Sequence, residues 1–414
     1  MTDSASAALG RLGLLDQEPA LGSGAMAVEA ALHEAGSGQP LTRGAALALI
    51  RASGRHLLHL LELASALRDT GKGQTVTFSK KVFIPLTHLC RDRCLYCAFR
   101  RDPGERDDGF MSPEEVLVLA SAGARLGCKE ALFSLGEKPE QAFPEARRFL
   151  TDRGYRSTIE YLAAICHLTL AETGLLSHAN PGTMTIEEMQ MLRDSNASMG
   201  LMLESVSARL MQPGGPHHQA PDKHPRLRLR TIEGAGQLQI AFTTGILIGI
   251  GETLEERIDS LFAINALHET YGHVQEVIVQ NFRAKPTIPM RGFPEPTLLD
   301  LLRTLGVARL ILGPKMNLQA PPNLSPDAYP LLLLSGINDW GGISPVTKDF
   351  INPEAPWPQI TALREGTASL GYHLRERLTI YPEYIVQKEG FIPPAVAPRI
   401  TALVDEMGYP RERG

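Results

Sequence analysis

The feature that most constrains the fold of this chain is a repeated alternation of apolar strand-like segments with amphipathic helix-like segments. The alternation begins near Val76 and continues to Phe282. Continuous apolar runs are typical of parallel strands buried on both faces, with the intervening helices covering the sheet. The predicted strands are residues 81–86, 130–135, 175–180, 197–205, 240–249 and 274–282, and the predicted helices are residues 112–127, 158–174, 185–195, 224–237 and 253–272.

Six such repeats predict an α/β fold of the TIM-type (β/α) barrel class, full or partial. A doubly wound open sheet is the alternative, but no G-x-G-x-x-G spacing follows the first strand. Apolar residues at helical spacing before the first strand predict two helices broken near Gly54. The expected organisation is a poorly ordered segment at 1–40, a helical extension at 41–75, a barrel core at 76–312, and a C-terminal segment at 313–414 that completes the barrel and the substrate site.

The composition excludes several classes of protein. The net charge of −5 offers no basic excess, so we expect no nucleic-acid partner. The longest apolar run, residues 240–251, is shorter than the roughly 20 residues that span a bilayer, and the first residues lack a basic-then-apolar signal. We therefore expect a cytoplasmic enzyme that binds no membrane. Five cysteines, an odd number, do not suggest an oxidised disulfide scaffold.

Three of the cysteines are clustered after the first predicted strand, with the spacing C-x-x-x-C-x-x-C at Cys90, Cys94 and Cys97. Soft thiolates select zinc or iron–sulfur clusters. Closed zinc sites typically use a second pair of ligands, which the sequence does not offer. An iron–sulfur cluster with three protein thiolates leaves one iron open to a small molecule, and this interpretation is favoured. Cys128 and Cys166 are predicted to be small buried hydrophobic residues.

Polar or glycine-rich residues follow each of the six predicted strands. Because the carboxyl ends of barrel strands meet at one face, these residues predict a single site there. The segments are residues 87–97, 134–140, 177–182, 203–205, 249–253 and 280–290.

The cysteine spacing, with the aromatic Tyr96 before the third cysteine, resembles the radical S-adenosylmethionine superfamily. The resemblance implies a 4Fe–4S cluster held by the three cysteines, with S-adenosylmethionine on the open iron as the source of a 5′-deoxyadenosyl radical. It also implies that Gly136 and Glu137 hold the methionyl ammonium, although Leu135 stands where the superfamily has another glycine. The cofactor contacts that it implies are Tyr96, Gly136, Glu137, Glu204, Ser205, Gly249 and Glu252.

Physical chemistry supports some of these contacts and offers simpler interpretations of others. A carboxylate at Glu204 can accept from both ribose hydroxyls, but a strand-terminal acid paired with a neighbouring base is equally consistent with the sequence. Small residues between Gly249 and Glu252 allow close approach of a base. Glu137 can pair with an ammonium group, and its simpler interpretation is a solvated loop acid.

A longer resemblance, from about Leu41 to beyond Pro358, is to the first subunit of the 7,8-didemethyl-8-hydroxy-5-deazariboflavin synthases. It rests on segments such as "VFIPLTHLCRDRCLYCAF", "GLLSHANPGTM" and "GINDWGGISPVT". It implies a carbon–nitrogen lyase that takes an adduct from a second radical S-adenosylmethionine subunit, closes the deazaflavin ring and releases ammonia, using a flavodoxin or ferredoxin as electron donor. The alternatives are a related radical enzyme, either the partner subunit or a menaquinone-pathway type, and a non-catalytic zinc-stabilised barrel.

Several polar residues are candidates for binding such a substrate, while no catalytic base is predicted. Amides donate and accept side by side and so suit a pyrimidine edge, and an indole can stack on a ring. The segment at residues 338–342 has a plain turn as its simpler interpretation. The histidine-rich loop at residues 216–224 offers further candidates. The predicted substrate contacts are His178, Asn180, Gln280, Asn281, Asn338, Asp339 and Trp340.

Overall fold

The structure, a computed structural model, describes residues 23–105 and 109–411. Residues 1–22 of the segment expected to be poorly ordered lie outside the described residues, and the remainder of that segment contains a helix. The predicted break near Gly54 is confirmed, because four residues separate the end of one helix at Leu49 from the start of the next at Gly54. The helices that precede the first strand are α1 (Ser23–Gly36), α2 (Arg43–Leu49) and α3 (Gly54–Lys72).

The described residues form one nine-stranded sheet in which paired strands are parallel. Strands β1 to β8 follow one another around a ring that closes because β1 pairs with both β8 and β2. The expectation of a TIM-type barrel is therefore confirmed, and the barrel is full. The strands are β1 (Thr75–Pro85), β2 (Glu130–Ser134), β3 (Leu176–Asn180), β4 (Asn196–Gly200), β5 (Phe242–Ile248), β6 (Val274–Asn281), β7 (Leu318–Gln319), β8 (Asp339–Ile343) and β9 (His373–Arg377).

Helices cover the outside of the barrel and fill the connections between strands. None of the helices in the described residues is both long enough and apolar enough to cross a bilayer. The α-helices are α4 (Pro113–Arg125), α5 (Pro139–Ala142), α6 (Pro144–Thr151), α7 (Thr158–Thr173), α8 (Ile186–Arg193), α9 (Pro225–Gln237), α10 (Leu254–Tyr271), α11 (Leu298–Leu312), α12 (Ile360–Ala368), α13 (Pro382–Val386) and α14 (Ala397–Leu403). Short 3₁₀ segments occupy Ala208–Met211, Pro221–Lys223, Pro322–Leu324 and Tyr329–Ser335.

Several barrel helices begin where the sequence supplies reciprocal caps. At the start of α4, the Ser112 hydroxyl accepts from the Glu115 amide at 3.3 Å, and the Glu115 carboxylate accepts from the Ser112 amide at 2.7 Å. Such a pair satisfies two amide groups that would otherwise lack partners at a helix start. The same arrangement starts α8, α10 and α11, with the pairs Thr185 and Glu188, Thr253 and Glu256, and Thr297 and Asp300.

The two strands that complete the barrel were not predicted as strands. The turn interpretation of residues 338–342 is wrong, because Asp339–Ile343 is β8 and lies in register with β1. Its two glycines and its acidic first residue hide the usual strand signal. β7 has only two residues, too few to show any period.

The C-terminal segment closes the amino-terminal end of the barrel. β9 pairs with the first half of β1, which pairs with β2 over its second half. After β9 the chain crosses the barrel, where the Thr379 carbonyl accepts from Ser198 on β4 and Gln275 on β6, each at 3.1 Å. Within the described residues, this crossing segment therefore forms a floor across the barrel interior.

Candidate active site

The loop that follows β1 carries the three clustered cysteines and is held by main-chain hydrogen bonds. The Arg91 amide donates to the Glu137 carbonyl at 3.0 Å, the Arg93 amide to Gln219 at 2.8 Å, and the Leu95 amide to Pro216 at 3.0 Å. Two neighbouring loops therefore fix the cysteine loop along its length. Cys90, Cys94 and Cys97 are unbridged, half-buried and line one cavity at the barrel mouth.

The two remaining cysteines have no part in this site. Cys128 and Cys166 are buried, with their sulfur atoms 3.5 Å from the Lys81 carbonyl oxygen and 3.7 Å from Asn196 Oδ1. The prediction that they are small buried residues is confirmed.

The turn after β2 is packed directly against the cysteine loop. A Cβ at Gly136 would lie 1.9 Å from the Leu89 carbonyl oxygen, so only glycine fits there. The next amide, that of Glu137, donates to Cys90 Sγ at 3.2 Å. The turn thus sets the position of the first thiol as well as its own carboxylate.

The Glu137 carboxylate is buried and enclosed by partners from two other elements. It accepts from the Thr183 amide at 2.6 Å and faces Arg228 Nη2 at 3.3 Å. A Cβ at Gly182 would lie 2.4 Å from Glu137 Cδ, so this glycine makes room for the carboxylate. The interpretation of Glu137 as a solvated loop acid is wrong, because only 5% of the residue is exposed.

Glu204 follows β4 and projects into the same cavity from a left-handed backbone conformation, with φ of 64°. This conformation is uncommon for a residue with a side chain and is retained where the surroundings impose it. Its Oε1 accepts from Lys223 Nζ at 2.6 Å, while its Oε2 is buried and has no hydrogen-bond partner among the residues that the structure describes. A buried carboxylate oxygen without a partner is costly and indicates a place for a donor from outside the protein.

Aromatic and imidazole groups complete this side of the cavity. The Tyr96 hydroxyl and His217 Nε2 share a hydrogen bond of 2.9 Å. Lys223 Nζ lies 5.9 Å from the centre of the Tyr96 ring. Burial, together with the Glu204 carboxylate, raises the pKa of Tyr96 well above its usual value. Burial also lowers the pKa of His217 to about 2, with Lys223 and Arg228 adding to the effect, so this imidazole is neutral.

The thiols of Cys90 and Cys94 are partly shielded from water. Burial raises the pKa of Cys90 to about 12, with Asp92 adding to the shift, and burial raises the pKa of Cys94 well above its usual value. Metal ligation requires thiolates, so a metal that binds here must displace these protons.

Two connected cavities run along the barrel axis. The upper chamber, of about 240 Å³, lies at the mouth beside Cys90, Cys94, Cys97, Glu137 and Glu204. The lower chamber, of about 150 Å³, lies inside the barrel beside Lys81, Glu130, His178, Glu276 and Arg377. The two chambers share lining residues, namely Ser134, Asn180, Leu201, Met202, Gln280, Ile351 and Asn352.

Most of the predicted site residues line one of these chambers. Besides the cysteines, the upper chamber is lined by Tyr96, Gly136, Glu137, Asn180, Glu204, Gln280 and Asn281. The lower chamber is lined by His178, Asn180, Gln280 and Trp340.

Three predicted cofactor contacts lie outside both linings. Glu252 accepts from the Gly249 amide at 2.8 Å and pairs with Arg257 at 2.6 Å, which stabilises the loop after β5. A Cβ at Gly249 would meet Pro296 at 2.3 Å, so its close neighbour is protein. The Ser205 hydroxyl accepts from the Ser207 amide at 3.1 Å.

The predicted substrate contacts at the start of β8 make structural hydrogen bonds in this structure. Asn338 Oδ1 accepts from the Leu318 amide and from Arg309 Nη2, each at 2.9 Å. Asp339 accepts from Arg377 Nε at 2.6 Å below the chambers. Trp340 lines the lower chamber but is 1% exposed, and its indole N–H donates to Thr367 on α12 at 3.0 Å.

Arg228 of α9 is a cavity residue that the sequence pattern did not single out. It is 3% exposed and donates to the Met202 carbonyl at 2.6 Å, and its buried Nε has no hydrogen-bond partner in the described part of the chain. The available signal was its helical spacing from the apolar Ile232 and Ala235, which places an arginine on the buried face of α9. Lys223 was considered only as a loop candidate, and it lines the upper chamber beside Glu204.

The sequence and the fold of this chain both match known proteins. The Radical SAM superfamily model matches residues 84–264. The solved FeFe-hydrogenase maturase HydG from Carboxydothermus hydrogenoformans superposes with a TM-score of 0.69 at 18% identity, covering 89% of this chain and 82% of that chain. Methylornithine synthase (PylB) superposes with a TM-score of 0.65 at 21% identity, covering 83% and 97%. At these identities the two structures support the fold alone.

Closer relatives are found among curated proteins. The FO synthase of Streptomyces avermitilis is 50% identical over 394 residues, which cover 93% of this chain and 46% of that protein. This chain therefore spans about half the length of the FO synthases that it matches. The 7,8-didemethyl-8-hydroxy-5-deazariboflavin synthase of Methanopyrus kandleri is 53% identical over 336 residues, which cover 81% of this chain and 100% of that protein. The superfamily implies an enzyme with a 4Fe–4S cluster and S-adenosylmethionine. The chain belongs to the 7,8-didemethyl-8-hydroxy-5-deazariboflavin synthase family within the radical SAM superfamily.

Proposed function

We propose that this chain converts the adduct 5-amino-5-(4-hydroxybenzyl)-6-(D-ribitylimino)-5,6-dihydrouracil to 7,8-didemethyl-8-hydroxy-5-deazariboflavin, with loss of ammonia. The observation that carries the proposal is the joining of two chambers in one barrel. The upper chamber offers three thiols and an unpartnered carboxylate oxygen, and the lower one is lined with polar groups. The breaking of a carbon–nitrogen bond makes the reaction that of a lyase.

The donor set in the upper chamber fits an iron–sulfur cluster better than a zinc ion. Among the described residues, the one group of potential ligands whose atoms all lie within 4.8 Å of one another is Asp92, Glu137 and Asp222, and the three cysteines do not form such a group. Zinc, with bonds to sulfur of about 2.3 Å, holds its thiolates closer together than this. We assign Cys90, Cys94 and Cys97 as the three protein ligands of a 4Fe–4S cluster.

The residues around the cysteines also fit S-adenosylmethionine. Glu204 Oε2 is a free acceptor for a hydroxyl group, and Glu137, with the turn at Gly136, presents a carboxylate beside the cluster loop. Tyr96 and Lys223 border the same space. When bound, the cluster and S-adenosylmethionine supply a 5′-deoxyadenosyl radical that removes a hydrogen atom from the substrate.

The walls below this position suit a polar heterocycle with a ribityl chain. The side chains of Asn180 and Gln280 make no hydrogen bond within the described part of the chain, and both border the two chambers. Amides with free donors and acceptors can pair with a pyrimidine edge. Asn281 and His178 add further polar groups, and apolar side chains that include Leu201 and Met202 limit access of water to the intermediate.

Two partners complete the proposal. A second radical SAM unit supplies the adduct, because the 414 residues of this sequence hold a single cysteine triplet, enough for one cluster and one radical reaction. A low-potential protein such as a flavodoxin or ferredoxin supplies the electron.

The test is an anaerobic incubation of reconstituted protein with reductant, S-adenosylmethionine and the purified adduct. We expect 5′-deoxyadenosine, methionine, ammonia and a fluorescent deazaflavin, and we expect Cys94→Ala to abolish all four. Deoxyadenosine without deazaflavin would contradict the assignment of the substrate. Stoichiometric zinc without iron, or undiminished turnover by the Cys94 variant, would contradict the assignment of the cluster.

A further inference from the structure

The lower chamber contains a lysine and a glutamate that have no ion-pair or hydrogen-bond partner among the described residues. Lys81 on β1 and Glu130 on β2 are opposite each other in the parallel register, and they are 8% and 5% exposed. They form no ion pair, and neither side chain makes a hydrogen bond within the described residues. Buried charges are ordinarily paired, so this arrangement indicates that something other than the protein satisfies them.

The other charged side chains that line the chamber form hydrogen bonds with the protein. Arg377 Nη2 contacts Glu276 Oε1 at 3.1 Å, and the Tyr381 hydroxyl donates to the same carboxylate at 2.8 Å. Asp349 accepts from the Ile351 amide at 2.9 Å. The other buried or half-buried lysines in the described residues all donate to oxygen atoms of the protein, as Lys72, Lys80, Lys129, Lys138, Lys223, Lys285 and Lys388 show.

The surroundings hold Lys81 in place without bonding its ammonium group. Lys81 Nζ lies 4.9 Å from the centre of the Trp357 ring and 5.7 Å from that of Phe83, at cation–π distance. A Cβ at Gly342 would lie 2.6 Å from Nζ and 2.3 Å from Cδ. The glycine on β8 therefore provides the space that the lysine side chain occupies.

Charged groups from four parts of the chamber wall influence the pKa of Lys81. Burial lowers the pKa of Lys81, and Arg377 on β9 acts in the same direction. Glu130 on β2, Asp349 in the loop after β8 and Glu276 on β6 oppose the shift. Such a balance suits an amine that must both give and take a proton.

We propose that Lys81 is a catalytic residue that contacts the substrate and gives a proton to the amine that leaves as ammonia. This inference rests on the proposed function and adds a residue to its chemistry. The electron pair of the breaking carbon–nitrogen bond leaves with nitrogen, which takes the proton from Lys81 Nζ. The pair of an adjacent carbon–hydrogen bond forms the new double bond, and its proton passes to Glu130. Proton transfer from Glu130 to Lys81 then restores both groups.

His178 is less suited to this role although it lines the same chamber. Its Nδ1 lies 2.7 Å from the Ser198 hydroxyl, which fixes the ring. Burial lowers the pKa of His178 to about 3, with Lys81 adding to the effect. The imidazole is therefore neutral near pH 7 and has little capacity to donate a proton as an acid.

The test uses the reconstituted holoenzyme with the adduct and compares Lys81→Ala with Lys80→Gln. The control residue is the neighbour on β1, which donates instead to the Leu126 carbonyl oxygen outside the chamber. In Lys81→Ala we expect deoxyadenosine at the wild-type rate but deazaflavin and ammonia at least about 100-fold slower, the range that proton transfer supplies. Added methylamine, which can occupy the vacated space, should restore deazaflavin formation in this variant alone.

Gly342→Ala provides a second route if Lys81→Ala does not fold, because the new methyl group must displace the lysine side chain. The expected result is the same separation of deoxyadenosine from deazaflavin. Deazaflavin within about threefold of wild type in a folded variant, or joint loss of deoxyadenosine and deazaflavin without amine rescue, would overturn the role of Lys81. Failure of the wild-type protein to form deazaflavin would instead overturn the proposed function.

Discussion

At the scale of single residues, the shape of the upper chamber depends on two glycines. Gly136 lets the turn after β2 touch the cysteine loop, and Gly182 leaves room for the Glu137 carboxylate. The Leu89 carbonyl and the Glu137 carboxylate, which these glycines contact, are held in place by their surroundings. Neither group can therefore move aside without a loss of stability. The position of Cys90 therefore depends on residues that carry no chemistry themselves.

Gly136→Ala tests this dependence. The added methyl group would lie 1.9 Å from the Leu89 carbonyl oxygen and 2.7 Å from Cys90 Cβ, so the cysteine loop must shift. We expect iron content and the broad absorbance near roughly 400 nm to fall to a small fraction of wild type after anaerobic reconstitution. Gly44→Ala, at a helical position with no atom within 4 Å of the new Cβ, is the control and should reconstitute normally.

A buried histidine outside the chambers gives a prediction about pH. Burial lowers the pKa of His273 to about 4, against about 6.5 in an unfolded chain. Below pH 6.5 the unfolded state takes up a proton that the folded state refuses, so stability is lost as the pH falls toward 4. When the pH is lowered from 7.5 to 5, protonation of His273 in the unfolded state lowers the free energy of unfolding by about 2 kcal/mol.

Urea unfolding at the two pH values measures that difference. His273→Gln should lose about 2 kcal/mol less than wild type on acidification, while His373→Gln, at an exposed position, should behave as wild type. Equal losses in wild type and His273→Gln would show that this histidine does not set the acid sensitivity.

The spacing of residues in the sequence predicts those parts of the site that are local in the chain. The cysteine triplet and the acid at Glu137 are local in sequence, and both line the upper chamber. Arg228 was missed because its partner, Glu137, is 91 residues away, and only the fold brings the two together. Lys81 was missed for a related reason, since a lysine inside an apolar strand shows nothing of the chamber that it faces.

At the scale of secondary-structure elements, β9 and the chain after it form the barrel floor. Arg377, at the end of β9, is 4% exposed and donates to Asp339 on β8 and Glu276 on β6. Removing a buried cation leaves two carboxylates without their partner, and such losses cost about 3–5 kcal/mol.

Arg377→Met should therefore lower the unfolding free energy by about 3–5 kcal/mol. Arg375→Met, two residues earlier on the same strand, breaks a partly exposed pair with Asp405 and should cost about 1 kcal/mol or less. Chemical denaturation of the two variants gives the comparison. A loss of similar size in both would mean that the floor contributes no more than a surface ion pair does.

The elements that the sequence predicted well are those with a strong period. The first six strands and the helices between them appear close to their predicted places. β7 and β8 were not found because two residues and a glycine-rich run carry no period, and their pairing is imposed by closure of the barrel. The same tertiary constraint assigns Asn338 and Asp339 to structural hydrogen bonds that no local pattern displays.

At the scale of the whole molecule, the barrel places two different kinds of chemistry on one axis. The mouth gathers thiols and a free carboxylate oxygen, and the interior holds an unpaired lysine and glutamate above a closed floor. In the proposed function, radical formation takes place above the substrate and proton transfer below it. The central claim is that this chain, which spans about half the length of the Streptomyces FO synthase, converts the adduct to the deazaflavin.

The most direct measurement is deazaflavin fluorescence from the reconstituted chain alone, supplied with reductant and S-adenosylmethionine and given two alternative substrates. With the purified adduct, we expect deazaflavin and ammonia in equal amounts. With tyrosine and 5-amino-6-(D-ribitylamino)uracil in place of the adduct, we expect no deazaflavin. Absence of deazaflavin from the adduct despite a complete cluster, or its formation from tyrosine without a second protein, would contradict the account.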